Sequence, residues 1–370
     1  MSGKEPALAH FRRYYENAEL DVPAIERREF GIGNRKKIDS RHLSFASTAD
    51  FRSYLVSNTP LFVSYSTAYY RYPDATPMQK KSWEGADLVF DLDIHAEGKY
   101  GAYAQLGRVK EDAIRLIDLL ASDFGISRKD ISINFSGNRG YHVHVTDKGY
   151  QEIGSDERKE IVDYVMGTGL DYTGFFERDG AKPEVKIAAG PKPDESGYRG
   201  RFARAVISAS EKERKAIHRG FGKPDAWARF VDGVRAGNWN CHSFETVDKL
   251  LARLAPIASQ LGLGSVNTDA GVTQDLSKLI RVPNSVHGDT GLIAKKVNDI
   301  DKFEPFKDAM IRSGDILKVK FVEDVPELPL MGESVGPFKK DEEKELPQSV
   351  ALFYVLKESA EASPAEPKEG

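Results

Sequence analysis

A single cysteine, Cys241, in a chain of 370 residues removes the two commonest covalent ways of holding a fold together. No intramolecular disulfide can form, and no structural zinc site can be built from two or more thiolates. The chain must be held by buried apolar surface, and 40% hydrophobic residues suffice for that at this length. The length suits one large domain with an insertion, or two to three ordinary domains. The same cysteine usage fits a reducing compartment. The start, MSGKEPALAHFRRYY, has charges scattered through it, so no secretory signal is expected. No run of about 18 apolar residues occurs, so no membrane span is expected and the expected location is cytoplasmic.

The formal net charge is -4, from 53 Lys+Arg against 57 Asp+Glu, which taken whole argues weakly against a polyanionic partner. The distribution says otherwise. From Lys340 to Gly370 there are eight acids against four lysines, so this stretch carries the whole deficit. Arg199 to Arg235 holds ten basic residues and four acids. A basic segment on an otherwise balanced body is the pattern of a protein with one face for phosphates, although a solvated helix face gives the same count.

Helical spacing appears at His10–Asn17, Val109–Phe124 and near Ser155–Gly167. The glycines of REFGIGN at Arg28–Asn34 read as a turn, and strand signals fall at Arg41–Phe45, Leu61–Tyr70, Ala86–Ile94, Ile131–Phe135, Tyr141–Val145, Leu292–Val297 and Ile316–Val322. Between about Phe202 and Leu261 the chain reads as mostly helical, with Ser243–Leu261 the clearest period. The expected class is therefore α/β (α+β): a mixed-sheet core over 1–201 and 263–330, an inserted helical basic subdomain over 202–262, and a linker with a flexible acidic tail over 331–370. That last stretch holds one short apolar element, Val350–Leu356, which reads either as a docking element or as a cap on the core; its end is expected to be disordered.

Three segments carry chemistry. In ADLVFDLDI the side chains alternate with a period of two, so Asp91 and Asp93 point to one face about 7 Å apart. At that spacing oxygens can share one or two hard divalent cations, although a strand edge with exposed acids looks the same. Ser136-Gly137-Asn138-Arg139-Gly140-Tyr141-His142 joins two strands. Its glycines permit positive φ and close approach of a ligand to the amides, Arg139 can fork to phosphate oxygens, and His142 can donate from a ring nitrogen. The third segment runs from Thr268 to Gly288 and offers acids at Asp269 and Asp275, then Arg281 and His287 six residues apart on a proline-broken stretch.

Together FDLDI, SGNRGYHVHV and TDAGVTQDLSKLIRVPNSVHGDTGL, in this order, resemble the catalytic small subunit of the archaeal and eukaryotic type of DNA primase. ERREFGIG, SRHLSF and GADLVFDLD resemble its archaeal members, and the likeness covers about Glu26 to Leu292. The resemblance implies template-directed nucleotidyl transfer with magnesium or manganese, on single-stranded DNA, from NTPs or dNTPs. It places the metal-binding, catalytic acids on Asp91, Asp93 and Asp269, with Asp275 the competing position for the third. It places nucleotide contacts on Ser136, Arg139, His142, Arg281, His287 and Arg41. It also implies a heterodimer with a large, regulatory, iron–sulfur-containing subunit. Two departures stand out. Many archaeal members carry a zinc knob after the DxD strand, but Ile94–Arg108 has His95 and no cysteine, so no zinc is expected. Where members often have a lysine after His-Gly, this chain has Asp289. A primase-polymerase that extends existing ends in end joining or damage bypass would need the same acids. A non-catalytic nucleic-acid-binding protein would not keep all of them intact.

Overall fold

The computed structural model describes residues 5–94, 96–178, 187–240, 249, 252–254 and 266–363. Cys241, His95, most of the helix expected at Ser243–Leu261, and the end of the tail at 364–370 lie outside the described residues. The chain divides into two compact units: Met1–Ile114, Ser127–Lys159 and Thr268–Gly370 form the first, and Arg115–Ile126 with Glu160–Asn267 the second. The helical insertion read at 202–262 thus sits inside a larger unit. Two of the four boundaries fall within the long helices α3 (Leu106–Asp123) and α4 (Ser155–Met166).

In the first unit, α1 (Glu5–Asn17) and α2 (Thr48–Asn58) accompany a four-stranded sheet ordered β11-β3-β1-β2, with β1 Phe30–Gly33, β2 Ser40–Leu43, β3 Phe62–Ser66 and β11 Leu279–Arg281. The turn expected at Arg28–Asn34 is a strand instead, and packing explains it. A side chain at Gly31 would meet Leu279 Cδ1 at 2.6 Å, and one at Gly33 would meet Lys36 O at 2.0 Å. The glycines are there for close approach, not for a turn. The strand expected over Leu61–Tyr70 breaks at Thr67, and its second part, β4 (Ala68–Tyr70), pairs with β5 (Trp83–Ala86) in a separate ribbon.

A second four-stranded sheet, β12-β7-β8-β6, is built from β6 (Leu88–Asp93), β7 (Ile131–Phe135), β8 (Gly140–Val145) and β12 (Lys296–Val297). Of the strand expected at Leu292–Val297 only these last two residues join the sheet; Leu292 and Ile293 make isolated bridges to Met310 and Val286. Pairings among the described residues are antiparallel, where the strand pattern alone leaves room for a mixed sheet. All of Gly140–Val145 is buried, so β8 runs through the middle of the unit, and Tyr65 on β3 stacks on His144 of β8 with rings 6.4 Å apart and 9° from parallel. The inner faces of the two sheets meet at that point.

Much of the stretch read as linker and tail is structured. β13 (Ile316–Phe321) lies between β14 (Glu343–Pro347) and β15 (Ala360–Ala362), and α10 (Gln348–Leu356) packs on them with every residue buried. A helix apolar all round must be buried, so Val350–Leu356 caps the core. The short helices α8 (Ala270–Gln274) and α9 (Pro305–Asp308) complete this unit.

In the second unit, β9 (Glu177–Arg178) pairs with β10 (Ile187–Ala189), and α5 (Gly197–Ile207), α6 (Glu211–Ile217) and α7 (Pro224–Arg235) surround an aromatic core of Phe202, Phe221, Trp227, Phe230 and Trp239. The N-terminus of α6 is closed by a capping box between Ser210 and Glu213. Among the described residues no helix is long and apolar enough to cross a membrane.

Candidate active site

Strand register assembles the first part of the site. β6 and β8 pair so that Asp91 stands opposite His142 and Asp93 opposite Gly140. A Cβ at Gly140 would stand 2.0 Å from Leu92 O, so glycine is what lets the turn close against the carboxylate strand. The next residue back, Arg139, donates from Nη2 to Asp93 Oδ2 at 3.1 Å. Ser136 shapes the same turn: its Oγ accepts from the backbone N–H of Asn138 at 3.3 Å and of Gly140 at 3.1 Å.

The third carboxylate arrives from a distant part of the chain, and backbone bonds fix it. Asp269 donates its N–H to Asp91 O at 2.9 Å, Thr268 Oγ1 donates to the same carbonyl at 3.1 Å, and Thr273 Oγ1 donates to Val89 O at 2.8 Å. The segment leading into α8 is thereby tied along β6. Asp269 caps α8, its Oδ1 accepting from Gly271 N at 2.9 Å. Asp275, the alternative, is exposed at the other end of α8, where its Oδ1 accepts from the N–H and hydroxyl of Ser277, both at 2.8 Å.

Burial, then the charges of Asp93 and Asp269, push the Asp91 carboxyl up from 3.8 to about 6. Like charges disfavour further ionisation, so these three carboxylates share one electrostatic environment. The Nε2 of His142 approaches Asp91 Oδ1 to 3.6 Å. Burial, and then Arg281, hold His142 down at about 3, so at neutral pH it is an uncharged imidazole and the contact is no ion pair. His144 is held at about 3 by the same burial and by His142.

The last part comes from the first sheet. Arg281 is on β11, half-buried, with its Nη1 buried and unpartnered and its guanidinium 5.4 Å from the centre of the Phe62 ring; desolvation lowers it to about 10, still charged at neutral pH. His287 follows, buried and kept neutral by desolvation and by Arg281; its Nδ1 accepts from Asp289 N at 3.2 Å. Second and third motifs touch directly, since Thr290 Oγ1 donates to Gly137 O at 2.6 Å. Gly137 has φ +79°, and a Cβ there would stand 2.9 Å from His287 Cβ. Gly137→Ala is therefore expected to lower stability by about 1–3 kcal/mol and to raise the KM for nucleotide, because the turn and His287 must move apart. Thermal melting and steady-state incorporation check the two halves separately.

Arg41 is tied to the third motif segment and to the first sheet. Its Nε donates to the buried Glu29 carboxylate at 3.0 Å and its Nη2 to Ser277 O at 3.3 Å. Several side chains at the site carry no motif signal. Lys37 acts electrostatically on Asp91, His142 and His287, and Lys278 on Asp91; the run Arg35-Lys36-Lys37 is the one feature that could have pointed to the former. Tyr103 donates to Asn138 Oδ1 at 3.1 Å. In the second unit, much of the basic surplus is engaged locally. Arg199 pairs with Glu195 at 2.6 Å, Arg201 with Asp123 at 3.0 Å, Lys215 with Glu211 at 2.5 Å, and Arg214 lies 4.7 Å over the Trp227 ring.

The model of the family described as DNA primase small subunit matches residues 90–299, more than half of the chain. The chain belongs to the DNA primase small subunit family. Its relatives include proteins named DNA primase small subunit PriS from Methanothrix thermoacetophila, 34% identical over 95% of this chain and 97% of the relative, and from Methanococcoides burtonii, 32% identical over 96% and 97%. One from Archaeoglobus fulgidus is 31% identical over 95% and 96%. The matched region of the primase family runs from within β6 to beyond β12 and includes the glycine turn and β11, while β1, β2 and β3 lie before it.

For a primase the question is whether these residues fit divalent cations. Among the described residues no three His, Cys, Asp or Glu side chains are gathered closely enough to form a ready cage. Asp93 reaches to Arg139 and Asp269 caps its helix, as mutually repelling carboxylates do when other partners are offered. Asp91 Oδ1, however, is buried and accepts no hydrogen bond. A buried, unsatisfied carboxylate oxygen in the field of two other carboxylates is a donor set for a hard cation.

Proposed function

We propose that this chain is the catalytic subunit of a DNA primase that makes short primers on single-stranded DNA by nucleotidyl transfer. The 3′-hydroxyl of a first nucleotide or growing primer attacks the α-phosphate of an incoming nucleotide in line. The α–β phosphoanhydride bond breaks, and pyrophosphate takes the electron pair and leaves. The observation that carries this reading is the buried, unpartnered Oδ1 of Asp91 in the field of Asp93 and Asp269.

Asp91, Asp93 and Asp269 are the residues that would hold magnesium or manganese. Such ions, when bound, lower the pKa of the attacking hydroxyl and neutralise charge on the leaving pyrophosphate. The chain's own cations act on the triphosphate: Arg139 and Arg281 bind its oxygens, and Ser136 holds the turn that aims Arg139. His142 and His287, uncharged at neutral pH, donate single N–H bonds and add no positive charge that would slow pyrophosphate release. Basic residues of Arg199–Arg235 not engaged locally would meet template phosphates without reading sequence. A large regulatory subunit with an iron–sulfur centre is proposed as the partner, in the cytoplasm, on the resemblance to the family.

The test is labelled NTP and dNTP incorporation on unprimed single-stranded DNA, with magnesium or manganese and with the partner subunit. Products on unprimed template are the expected result. Extension confined to annealed primers would transfer the reading to end extension, and no incorporation with either metal would overturn catalysis.

A further inference from the structure

We propose that Lys357, at the C-terminal end of α10, is a nucleotide-binding residue whose ammonium joins Arg139 and Arg281 around the triphosphate. The inference rests on the active-site reading above and adds a residue from a part of the chain that carries none of its motifs.

Lys357 is half-buried and reaches into the glycine turn, where its Nζ donates to Asn138 Oδ1 at 3.5 Å and lies 5.0 Å over the Tyr103 ring. A neutral amide at long range and an aromatic face are weak partners for a cation withdrawn from water. Among the described residues no carboxylate stands at ion-pair distance from it, and the same is true of the half-buried Arg281. Isolated buried cations are costly, and a fold keeps them where an anion completes the site. Both feel the charge of Asp289 and both act on His287, whose segment is bonded to the same turn through Thr290 Oγ1 and Gly137 O at 2.6 Å. Arg139, the neighbour of Asn138 in the turn, presses on Lys357 as well. Asp93 pairs with Arg139, and Asp289 acts on Arg281 and Lys357 only at a distance, so Lys357 has no carboxylate bound to it.

Several features favour a triphosphate as that anion. The cations come from three separate elements: Arg139 from the glycine turn, Lys357 from the end of α10 against Asn138 of that turn, and Arg281 from β11. Burial is the largest influence on Lys357, lowering it to about 8 while Asp289 raises it and Arg139 and Lys99 lower it, so it is charged at neutral pH. Lys357 also caps α10, where the last helical carbonyls favour a cation and hold its stem in place.

The experiment is equilibrium binding of ATP and of AMP to the full chain in magnesium buffer, for the wild type and for Lys357→Met, Lys357→Gln, Lys357→Arg and Arg139→Ala. Losing a charge-assisted contact to phosphate is expected to weaken ATP binding by roughly tenfold or more in Lys357→Met, with AMP affinity changed by less than about twofold. Lys357→Gln, which can still bond Asn138, carries the same expectation and serves if the methionine variant does not fold; Lys357→Arg retains most of the affinity. Equal weakening of ATP and AMP would mean a structural role and overturn the proposal. Unchanged ATP affinity in both uncharged Lys357 variants, with a loss in Arg139→Ala, would overturn the role of Lys357 and leave the site reading standing. A wild type that does not bind ATP, or an Arg139→Ala that binds it unchanged, would overturn both.

Discussion

Replacing Asp91 and Asp93 together by alanine is expected to cut nucleotide incorporation on a single-stranded template by at least about 10³-fold, because several kcal/mol of charge neutralisation at the reacting phosphate goes with them. The fold is expected to survive, since the β6–β8 pairing is made by the backbone. A double mutant that still makes primers would sink the assignment of the site. The single change Asp91→Asn separates function from stability. The carboxyl of Asp91 is held at about 6, above its ordinary 3.8, so the fold prefers its protonated form. Stability is therefore lost as pH rises from about 4 through 6, and the cost is fully present at pH 7–8. Asp91→Asn removes an ionisable group that the fold disfavours. Its melting temperature is expected above wild type at pH 7–8, by an amount on the order of 1–3 kcal/mol in stability, with the gap closing below about pH 4. A loss of activity together with a gain in stability distinguishes a residue kept for chemistry from one kept for packing.

The second large effect lies at the other end of the same strand. Asp87 precedes β6, and its carboxylate accepts from Arg28 Nη2 at 2.6 Å, Tyr69 OH at 2.8 Å and Gln151 Nε2 at 3.1 Å. Arg28 is fully buried and also donates to the carbonyls of Ser66 and Thr67, at 3.0 and 2.7 Å. Buried Arg158 holds the main chain of the same corner, donating to the carbonyls of Asp87 and Ala86 at 2.9 and 2.7 Å. Asp87→Ala leaves the Arg28 guanidinium uncompensated in the core, and a loss of about 3–5 kcal/mol is expected, read as a lower urea midpoint. The paired change Arg28→Met with Asp87→Leu is expected to recover most of that loss, because it removes both desolvated charges. A double-mutant cycle with no coupling would show that the pair is not what anchors the strand.

How much of this was legible in the sequence depends on the range over which each feature is decided. Asp91 and Asp93 were readable as one-faced because strand alternation is local, and α3 because Ile114, Leu116, Ile117, Leu119, Leu120 and Phe124 fall at helical spacing, Leu116, Ile117, Leu119 and Leu120 among them buried. The fold class followed from such periods. The strand Phe30–Gly33 was not readable. Glycine is a poor strand former, and the reason for it, the close approach of Leu279 and Lys36, comes from residues remote in sequence or folded back by the following loop. Likewise Val350–Leu356 is apolar on every side, which shows that something covers it and not what. Its place under β13–β15 is tertiary information. In the site, the acids and the basic residues of the motifs stood out by type and spacing. Lys357 could not, since a lysine in an acidic stretch looks like any solvated lysine until Asn138 and Tyr103 are placed beside it. Arg41 shows how a motif cation is placed: Glu29 and the carbonyl of Ser277 hold it, contacts that no local period announces.

The C-terminal position of α10 has a consequence for the timing of synthesis. The carboxylates of β6 leave the ribosome early, but the helix that covers the core and carries Lys357 follows tens of seconds later at about 5–20 residues per second. Until then the seat of α10, lined by Tyr100, Tyr103 and Phe306, is an exposed aromatic surface on an unfinished unit. The nascent chain therefore presents an apolar surface, Tyr100 and Tyr103 first and Phe306 shortly before α10, until that helix is made. The core of this unit is completed only when α10, made near the end of the chain, comes to lie against elements made at its beginning.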